Sequence, residues 1–190
     1  MGKPKQLLTF EGETLLSRAA RTALETDCRP VIVVLGSHAD DLQEEIAALD
    51  TSIVVNQLWH EGMGSSIRCG LQALEATAPD GTEAVISMLC DQPFVTSKVI
   101  RRLGDAYRAS RALLVASEYE TDGEKTFGVP ALFSRALFPE LRALNGAEGA
   151  KRIITRHAAE AASVAMPEAS FDVDTPDDYR ALHNKELFDR

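Results

Sequence analysis

The chain has 190 residues, 45% apolar and 26% charged, and its 20 Lys and Arg against 29 Asp and Glu give a formal net charge of −9. This balance predicts one soluble globular domain over residues 1–190 and argues against general binding to nucleic acid or an anionic membrane surface. No apolar run approaches the roughly 18 residues of a membrane span, and residues 1–6 are too short and polar for a signal peptide, so a cytoplasmic protein is expected. Cys28, Cys69 and Cys90 are isolated and odd in number, which predicts reduced thiols.

Short apolar runs alternate with segments of helical periodicity, which predicts an α/β fold with a mainly parallel sheet. The predicted strands cover residues 31–35, 52–55, 84–89, 113–116 and 129–133. The predicted helices follow apolar stripes that start at Leu15, Leu42, Ile67 and Val99. Residues 1–12 form a polar loop that leads into the first helix. A parallel α/β domain normally opens on a strand, so either the fold lacks its first strand or residues upstream of Met1 are absent from this sequence.

The first stretch with chemical potential is residues 56–66, NQLWHEGMGSS, which we call the glycine loop. It follows a predicted strand, at the sheet edge where open parallel sheets bind ligands. Gly62 and Gly64 permit close backbone approach, and Ser65 or its neighbour is expected to start a helix whose free N–H groups suit a phosphate, a ribose or a base carbonyl. An ordinary glycine turn with a serine cap is the alternative. Trp59 is expected to anchor this loop, with a base-stacking platform as the alternative.

Two further stretches place carboxylates at positions that suit a metal ion. Asp91 directly follows the predicted strand 84–89, where it could hold a hard cation such as Mg²⁺ together with a phosphate oxygen. An Asx-turn that closes the loop is the alternative. Asp172 and Asp174 precede a helix that Thr175 is expected to cap. They are two apart in an extended segment, and one of them is expected to be a second metal carboxylate.

Seven blocks of sequence, taken together, carry a family resemblance. They are MGKPKQLL at 1–8, VVLG at 33–36, NQLWHEGMGSSI at 56–67, CDQP at 90–93, GVPALFS at 128–134, EGAK at 148–151 and DVDTPDDY at 172–179. In order and spacing they resemble the molybdenum cofactor cytidylyltransferases over nearly the whole chain. The resemblance implies a Rossmann-like, three-layer nucleotidyltransferase fold and an Mg²⁺-dependent enzyme that joins CTP to molybdopterin and releases pyrophosphate.

The resemblance also implies roles for individual residues. Lys5 would contact the nucleotide phosphates, Asp91 would bind Mg²⁺, and Asp174, with Asp172 as the less favoured choice, would complete the metal site. The residues expected to bind the nucleotide are Lys5, Asn56, Gly62, Met63, Gly64 and Ser65. The residues expected to face the molybdopterin substrate are Gly128, Val129, Pro130, Gly149 and Lys151.

The sequence departs from the family at its start. The family opens on a strand and a glycine-rich loop, L-A-A-G-x-S-x-R, joined directly to M-G-x-P-K-x-L-L, and this sequence begins at the Met of that second motif. A start codon assigned too far downstream is the favoured explanation, with a natural non-catalytic relative or a strand supplied by another chain as alternatives. The alternative functions are transfer from GTP or to another acceptor, and an inert accessory that holds the cofactor for a molybdenum hydroxylase client.

Overall fold

The chain folds into alternating strands and helices in a computed structural model that describes residues 4–78, 81–121 and 123–183. The hairpin β1 (Thr9–Phe10) and β2 (Glu13–Thr14) precedes helix α1 (Leu15–Leu24). The first half continues with β3 (Ile32–Leu35), α2 (Ala39–Ile46), β4 (Ser52–Val55), α3 (Met63–Thr77), β5 (Ala84–Ser87) and α4 (Ser97–Ser110). The second half contains β6 (Leu114–Thr121), β7 (Glu124–Ser134), α5 (Phe138–Arg142), α6 (Ala150–His157), β8 (Ala162–Ala165) and α7 (Pro176–His183).

The main strands form two separate sheets. β3 and β4 pair in parallel, with Ile32 opposite Ser52. The larger sheet has the order β5-β7-β6-β8, in which β7 runs antiparallel to both of its neighbours and β8 runs parallel to β6. β5, β6 and β8 therefore share one direction, and the predicted α/β fold is confirmed with β7 as the antiparallel exception.

Helices cover both faces of the larger sheet because successive side chains of a strand point to opposite faces. One face packs apolar residues of β6 and β7 against α3, α5 and α6, and its buried members include Leu114, Ala116, Ala131, Phe133, Leu71, Phe138 and Ile153. The other face packs Val115 and Leu132 against Leu103 of α4. α1 and α2 pack on β3 in the same way, through Leu16, Leu35 and Ile46. The result is the expected helix–sheet–helix layering.

Several elements differ from their predicted bounds. β6 and β7 extend well beyond residues 113–116 and 129–133. The prediction was too short because the outer parts of the two strands are rich in charged and polar residues and lack a regular apolar alternation. β1, β2, β8, α5 and α6 are short and were not predicted, and β1 lies inside residues 1–12, which were expected to form a loop. β5 ends at Ser87, two residues before the predicted end of that strand.

α3 begins at Met63, so the helix starts before Ser65 rather than at it. The reason is Gly62, whose φ of 110° lets the chain enter the helix two residues earlier.

Two expectations about the whole chain can be compared with the structure. The cysteines are free thiols, as predicted. In the described ranges, no helix combines the length and the apolar character needed to cross a membrane.

Candidate active site

Lys5 lies between two of the predicted metal carboxylates. Its Nζ donates to Asp91 Oδ2 at 2.5 Å and to Asp174 Oδ1 at 2.8 Å. Asp91 is 8% exposed, whereas the side chain of Asp174 is 63% exposed, so the group opens to solvent on the Asp174 side. We call Lys5, Asp91 and Asp174 the lysine–carboxylate cluster. Asp91 and Asp174 lie 86 and 169 positions from Lys5 in the sequence, so the three residues meet only in the folded chain.

A backbone hydrogen bond positions the two carboxylates relative to each other. Asp91 follows β5, and its carbonyl oxygen accepts from the N–H of Val173 at 2.9 Å. Val173 is fully buried beside Leu15 and Leu182, which fixes the extended segment that carries Asp174. Of the two alternatives that the sequence left open, Asp174 is the one that shares Lys5 with Asp91.

The charges of the cluster are incompletely balanced. Burial opposes the charged form of Lys5, but its hydrogen bonds to Asp174 and Asp91 raise its pKa well above the ordinary value. Partial desolvation and the negative charge of Asp91 raise the pKa of Asp172. Asp91 Oδ1 is buried and has no hydrogen-bond partner among the described residues. One ammonium therefore faces two carboxylates, one of which keeps an unpaired oxygen.

These donors fit a divalent cation. Carboxylate oxygens are hard ligands, and Mg²⁺ in nucleotide sites is held by one or two carboxylates together with waters and substrate phosphates. No group of three or more His, Cys, Asp or Glu residues suited to a metal ion is found in the described part of the chain. A cation between Asp91 and Asp174 would thus take its remaining ligands from water and phosphate oxygens.

The polar residues of the glycine loop bond to one another. Asn56 is buried, and its Oδ1 accepts from the N–H of Leu58 at 2.9 Å. Its Nδ2 donates to Ser65 Oγ at 2.7 Å and to Ser66 Oγ at 3.1 Å. The hydroxyl of Ser65 lies 2.8 Å from the carbonyl oxygens of both Leu58 and Gly62. Asn56 and Ser65 therefore hold the shape of this loop.

The two predicted glycines let the glycine loop pack closely on the residues before α6. A Cβ at Gly62 would lie 2.7 Å from the carbonyl oxygen of Gly146, and one at Gly64 would lie 2.9 Å from that of Glu148. The N–H of Gly64 also donates to the Gly146 carbonyl at 3.2 Å. Contact with another part of the chain is therefore a sufficient reason for glycine at both positions.

This packing brings two predicted sets of residues together. Gly149 caps the start of α6, and a Cβ there would lie 3.6 Å from Met63 Cγ. Met63 itself is 46% exposed. Lys151 lies exposed in the first turn of α6. The predicted nucleotide side and the predicted acceptor side therefore adjoin at the Met63–Gly149 contact.

Trp59 lies on the same loop and is half exposed. A Cβ at Gly36 would lie 2.7 Å from Trp59 Cβ, so the base of this side chain packs on the end of β3. The base of the Trp59 side chain is therefore packed against the chain, as an anchor would be, while about half of the residue remains exposed to solvent.

The remaining predicted acceptor residues lie on β7, next to Asp91. Gln92 Nε2 donates to the carbonyl oxygen of Val129 at 3.2 Å and to that of Ala169 at 3.0 Å. Its Oε1 is buried and has no hydrogen-bond partner in the part of the chain that the structure describes. A Cβ at Gly128 would collide with the hydroxyl of Tyr119. Pro130 follows in the same strand, and its carbonyl oxygen accepts from Ser117 Oγ.

Gln92 and Tyr119 are the residues of this region that the sequence analysis missed. Gln92 lies inside the CDQP block, so its position beside Asp91 was the available signal. Tyr119 lies in the charged extension of β6, where neither periodicity nor a motif marks it.

Relatives and solved structures resemble the chain over most of its length. It is 29% identical over 154 residues to nicotine blue oxidoreductase of Paenarthrobacter nicotinovorans, covering 80% of this chain and 73% of that protein. It is 29% identical over 194 residues to purine catabolism protein PucB of Bacillus subtilis strain 168, covering 94% of this chain and 87% of that protein.

Rv0371c of Mycobacterium tuberculosis H37Rv gives the structural comparison. Its crystal structure is 30% identical to this chain, with a TM-score of 0.80 over 97% of this chain and 90% of that one. A second structure of Rv0371c, in complex with manganese, is 28% identical, with a TM-score of 0.77 over 96% of this chain and 92% of that one. Residues 1–161 match the MobA-like NTP transferase domain. The chain therefore belongs to the MobA-like NTP transferase domain family and is a nucleotidyltransferase.

Proposed function

We propose that the protein is an Mg²⁺-dependent cytidylyltransferase that joins CTP to molybdopterin and releases pyrophosphate. The observation that carries the proposal is the lysine–carboxylate cluster, in which Lys5, Asp91 and Asp174 meet at the end of a strand of an NTP transferase domain. The manganese complex of Rv0371c supports a divalent cation in this kind of protein. The choice of Mg²⁺, CTP and molybdopterin follows from the sequence resemblance.

The reaction is an in-line displacement at phosphorus. A phosphate oxygen of molybdopterin attacks the α-phosphorus of CTP, a new P–O bond forms, and the bond to the bridging oxygen breaks to release pyrophosphate. Asp91 and Asp174 would hold Mg²⁺, which when bound neutralises charge on the triphosphate and on the leaving pyrophosphate. Lys5 would contact the nucleotide phosphates through its ammonium. The proposed contribution of the protein is positioning and charge neutralisation, without a covalent enzyme intermediate.

The nucleotide would bind along the glycine loop. Since Asn56 and Ser65 already use their polar groups within the loop, we assign them to holding its shape. The base and ribose would then contact the backbone of Gly62 and the exposed side chain of Met63, since Gly64 is buried and bonds to Gly146.

The acceptor would bind beside the nucleotide, since the two predicted sets of residues adjoin at the Met63–Gly149 contact. On β7, Gly128 and Pro130 are buried, so the partly exposed Val129 next to Gln92 is the residue of this set that would contact the acceptor. Gly149 and Lys151 would line the other part of the acceptor site, where the exposed ammonium of Lys151 suits an anionic acceptor.

Pyrophosphate release in the presence of molybdopterin and Mg²⁺ tests the proposal. We expect the rate with CTP to exceed that with GTP by at least about tenfold. Asp91→Asn should lower the rate by about a hundredfold or more, because it removes one of two metal carboxylates without changing size. Asp177→Asn, in the exposed first turn of α7, is the matched control and should leave the rate unchanged.

Each contrary outcome identifies a different error. Equal rates with CTP and GTP would contradict the assignment of cytidine. An unchanged rate for Asp91→Asn would contradict the metal site. Absence of release by the unaltered protein with either nucleotide would contradict the transferase activity and favour an inert accessory that holds the cofactor.

A further inference from the structure

The lysine–carboxylate cluster already contains a cation of its own. The Lys5 ammonium donates to one oxygen of Asp91 and one oxygen of Asp174, at 2.5 and 2.8 Å. These are the two carboxylates to which the proposed function assigns the divalent cation. The ammonium therefore occupies the space between the groups that would have to converge on that ion.

A single ammonium balances neither the charge nor the hydrogen-bonding capacity of the two carboxylates. One positive charge faces two negative ones. Within residues 4–78, 81–121 and 123–183, the buried Asp91 Oδ1 has no hydrogen-bond partner, although the other oxygen of the same carboxylate binds Lys5. A doubly charged ion would balance the pair and could use the unpaired oxygen.

Hydrogen bonds of the backbone fix the segments that carry Asp91 and Asp174, whereas the Lys5 side chain is held mainly by its bonds to the two carboxylates. Asp91 accepts the backbone N–H of Val173 through its carbonyl oxygen, and the backbone N–H of Asp174 donates to the side chain of Asp178. Lys5 belongs to the short 3₁₀ turn Lys5–Leu7, and its side chain is 33% exposed. Its four-carbon stem can carry the ammonium to a new partner without a change in the backbone.

We propose that the Lys5 ammonium is a resident counter-cation that a divalent cation displaces when it arrives with a nucleotide. This inference rests on the proposed function, which supplies the metal and the nucleotide. The triphosphate offers Lys5 a replacement anion, so the departure of the lysine and the entry of the metal are coupled. A metal ion alone has to compete with the lysine and offers it no new partner.

Titration with Mn²⁺, followed by the electron paramagnetic resonance signal of the free ion, tests this coupling. The unaltered protein should bind Mn²⁺ alone weakly and bind it much more tightly when CTP is present. Lys5→Gln should bind Mn²⁺ alone at least about tenfold more tightly than the unaltered protein, because the competing charge is gone. In the same variant CTP should increase Mn²⁺ affinity less than it does in the unaltered protein. Lys98→Gln, an exposed lysine in the first turn of α4, is the matched control and should behave like the unaltered protein.

An equal or weaker affinity of Lys5→Gln for Mn²⁺ alone would overturn the inference. Asp91→Asn separates this result from a failure of the proposed function. If Asp91→Asn loses Mn²⁺ binding while Lys5→Gln is unchanged, the metal site stands and only displacement of the lysine is wrong. If Asp91→Asn keeps full Mn²⁺ binding in the presence of CTP, the metal site itself is wrong.

Removal of the ammonium leaves two carboxylates facing each other, so thermal unfolding gives a second readout. Mn²⁺ should raise the melting temperature of Lys5→Gln more than that of the unaltered protein. Should the variant be unfolded without metal, Mn²⁺ should restore its folded circular dichroism spectrum. A variant that Mn²⁺ fails to stabilise or refold would count against the inference.

Discussion

The lysine–carboxylate cluster and the glycine loop are both parts of the site that the sequence predicted, yet their polar groups are used differently. In the cluster, one ammonium serves two carboxylates, and a buried oxygen of Asp91 stays unpaired. In the loop, the side-chain amide of Asn56 and the hydroxyl of Ser65 are both bonded within the same eleven-residue stretch, 56–66. The first region leaves hydrogen-bonding capacity for a ligand, and the second uses that capacity to fix its own backbone.

This difference has an energetic meaning. A buried polar group without a partner costs about 1–3 kcal/mol, so Asp91 Oδ1 is a position at which a bound cation would relieve a cost of folding. Asn56 pairs its donors and its acceptor within the fold and gains nothing comparable from a ligand. Substitutions in the cluster should therefore act mainly on catalysis, and substitutions in the loop mainly on stability.

The largest expected effect distinguishes Asp174 from Asp172, the two aspartates that precede α7. Asp174→Asn should lower kcat/KM for CTP by about a hundredfold, because Asp174 shares the cation position with Asp91. Asp172→Asn, two residues away and without a bond to Lys5 in the described structure, should change kcat/KM by less than about fivefold. Steady-state pyrophosphate release measures both variants. The assignment of Asp174 would be wrong if Asp172→Asn were the more damaging substitution.

Parts of this site could be predicted because they depend on local sequence. Asp91 was recognisable because an apolar strand runs into it, and its place after β5 agrees with the prediction. The cap of α7 was recognisable from Thr175 and Pro176, and Thr175 Oγ1 does accept from the N–H of Asp178 at 3.1 Å. In both cases the residue type and its immediate neighbours determine the local structure.

Other parts could not be predicted because they depend on contacts between distant segments. Lys5 bonds to both Asp91 and Asp174, which joins segments that no local pattern relates. Residue spacing alone left Asp172 and Asp174 open, and the family resemblance favoured Asp174. The need for glycine at 62 and 64 comes from the carbonyl groups of residues 146 and 148. The outer part of the β6–β7 ladder has charged pairs such as Glu118 and Lys125 instead of an apolar alternation, so its strands looked shorter than they are.

A substitution in the glycine loop should have an intermediate effect. A methyl group at Gly64 would lie 2.9 Å from the carbonyl oxygen of Glu148, so Gly64→Ala must push two backbone segments apart. We expect a loss of about 1–3 kcal/mol in the free energy of unfolding. Urea denaturation measures this loss. Gly81→Ala, where a Cβ would have no heavy atom within 4 Å, is the matched control and should be neutral within about 0.5 kcal/mol.

The outcome for Gly64→Ala also distinguishes the two uses of the loop. If glycine is needed for packing, the variant loses stability, and its affinity for CTP falls only through the displacement of the glycine loop. A variant with unchanged stability and strongly weakened CTP binding would show that Gly64 serves the ligand directly, and the contrast between loop and cluster would fail at this position.

The smallest expected effect lies where a structural hydrogen-bond network touches the cluster. The carboxylate of Asp178 accepts from the N–H groups of Thr175 at 2.7 Å and Asp174 at 3.1 Å, and also from the hydroxyl of Thr175. The bonds from the Thr175 side chain and backbone lower the pKa of Asp178. Because the folded state prefers the ionised form, this contribution to stability is complete above the ordinary pKa of about 3.9 and is lost as the pH falls through the lower folded value.

Asp178→Asn should therefore reduce the free energy of unfolding by about 1 kcal/mol at neutral pH and flatten the loss of stability below about pH 4. Urea denaturation at a series of pH values measures both effects, and Asp177→Asn, whose carboxylate pairs with Arg180 instead, should keep the acid dependence. Asp178 bonds to the backbone N–H of Asp174 and, in the described structure, not to its carboxylate. For this reason kcat/KM for CTP should change by less than about threefold in Asp178→Asn. A larger kinetic loss would mean that Asp178 positions the Asp174 carboxylate. The first turn of α7 would then belong to the reactive cluster and not only to a structural network.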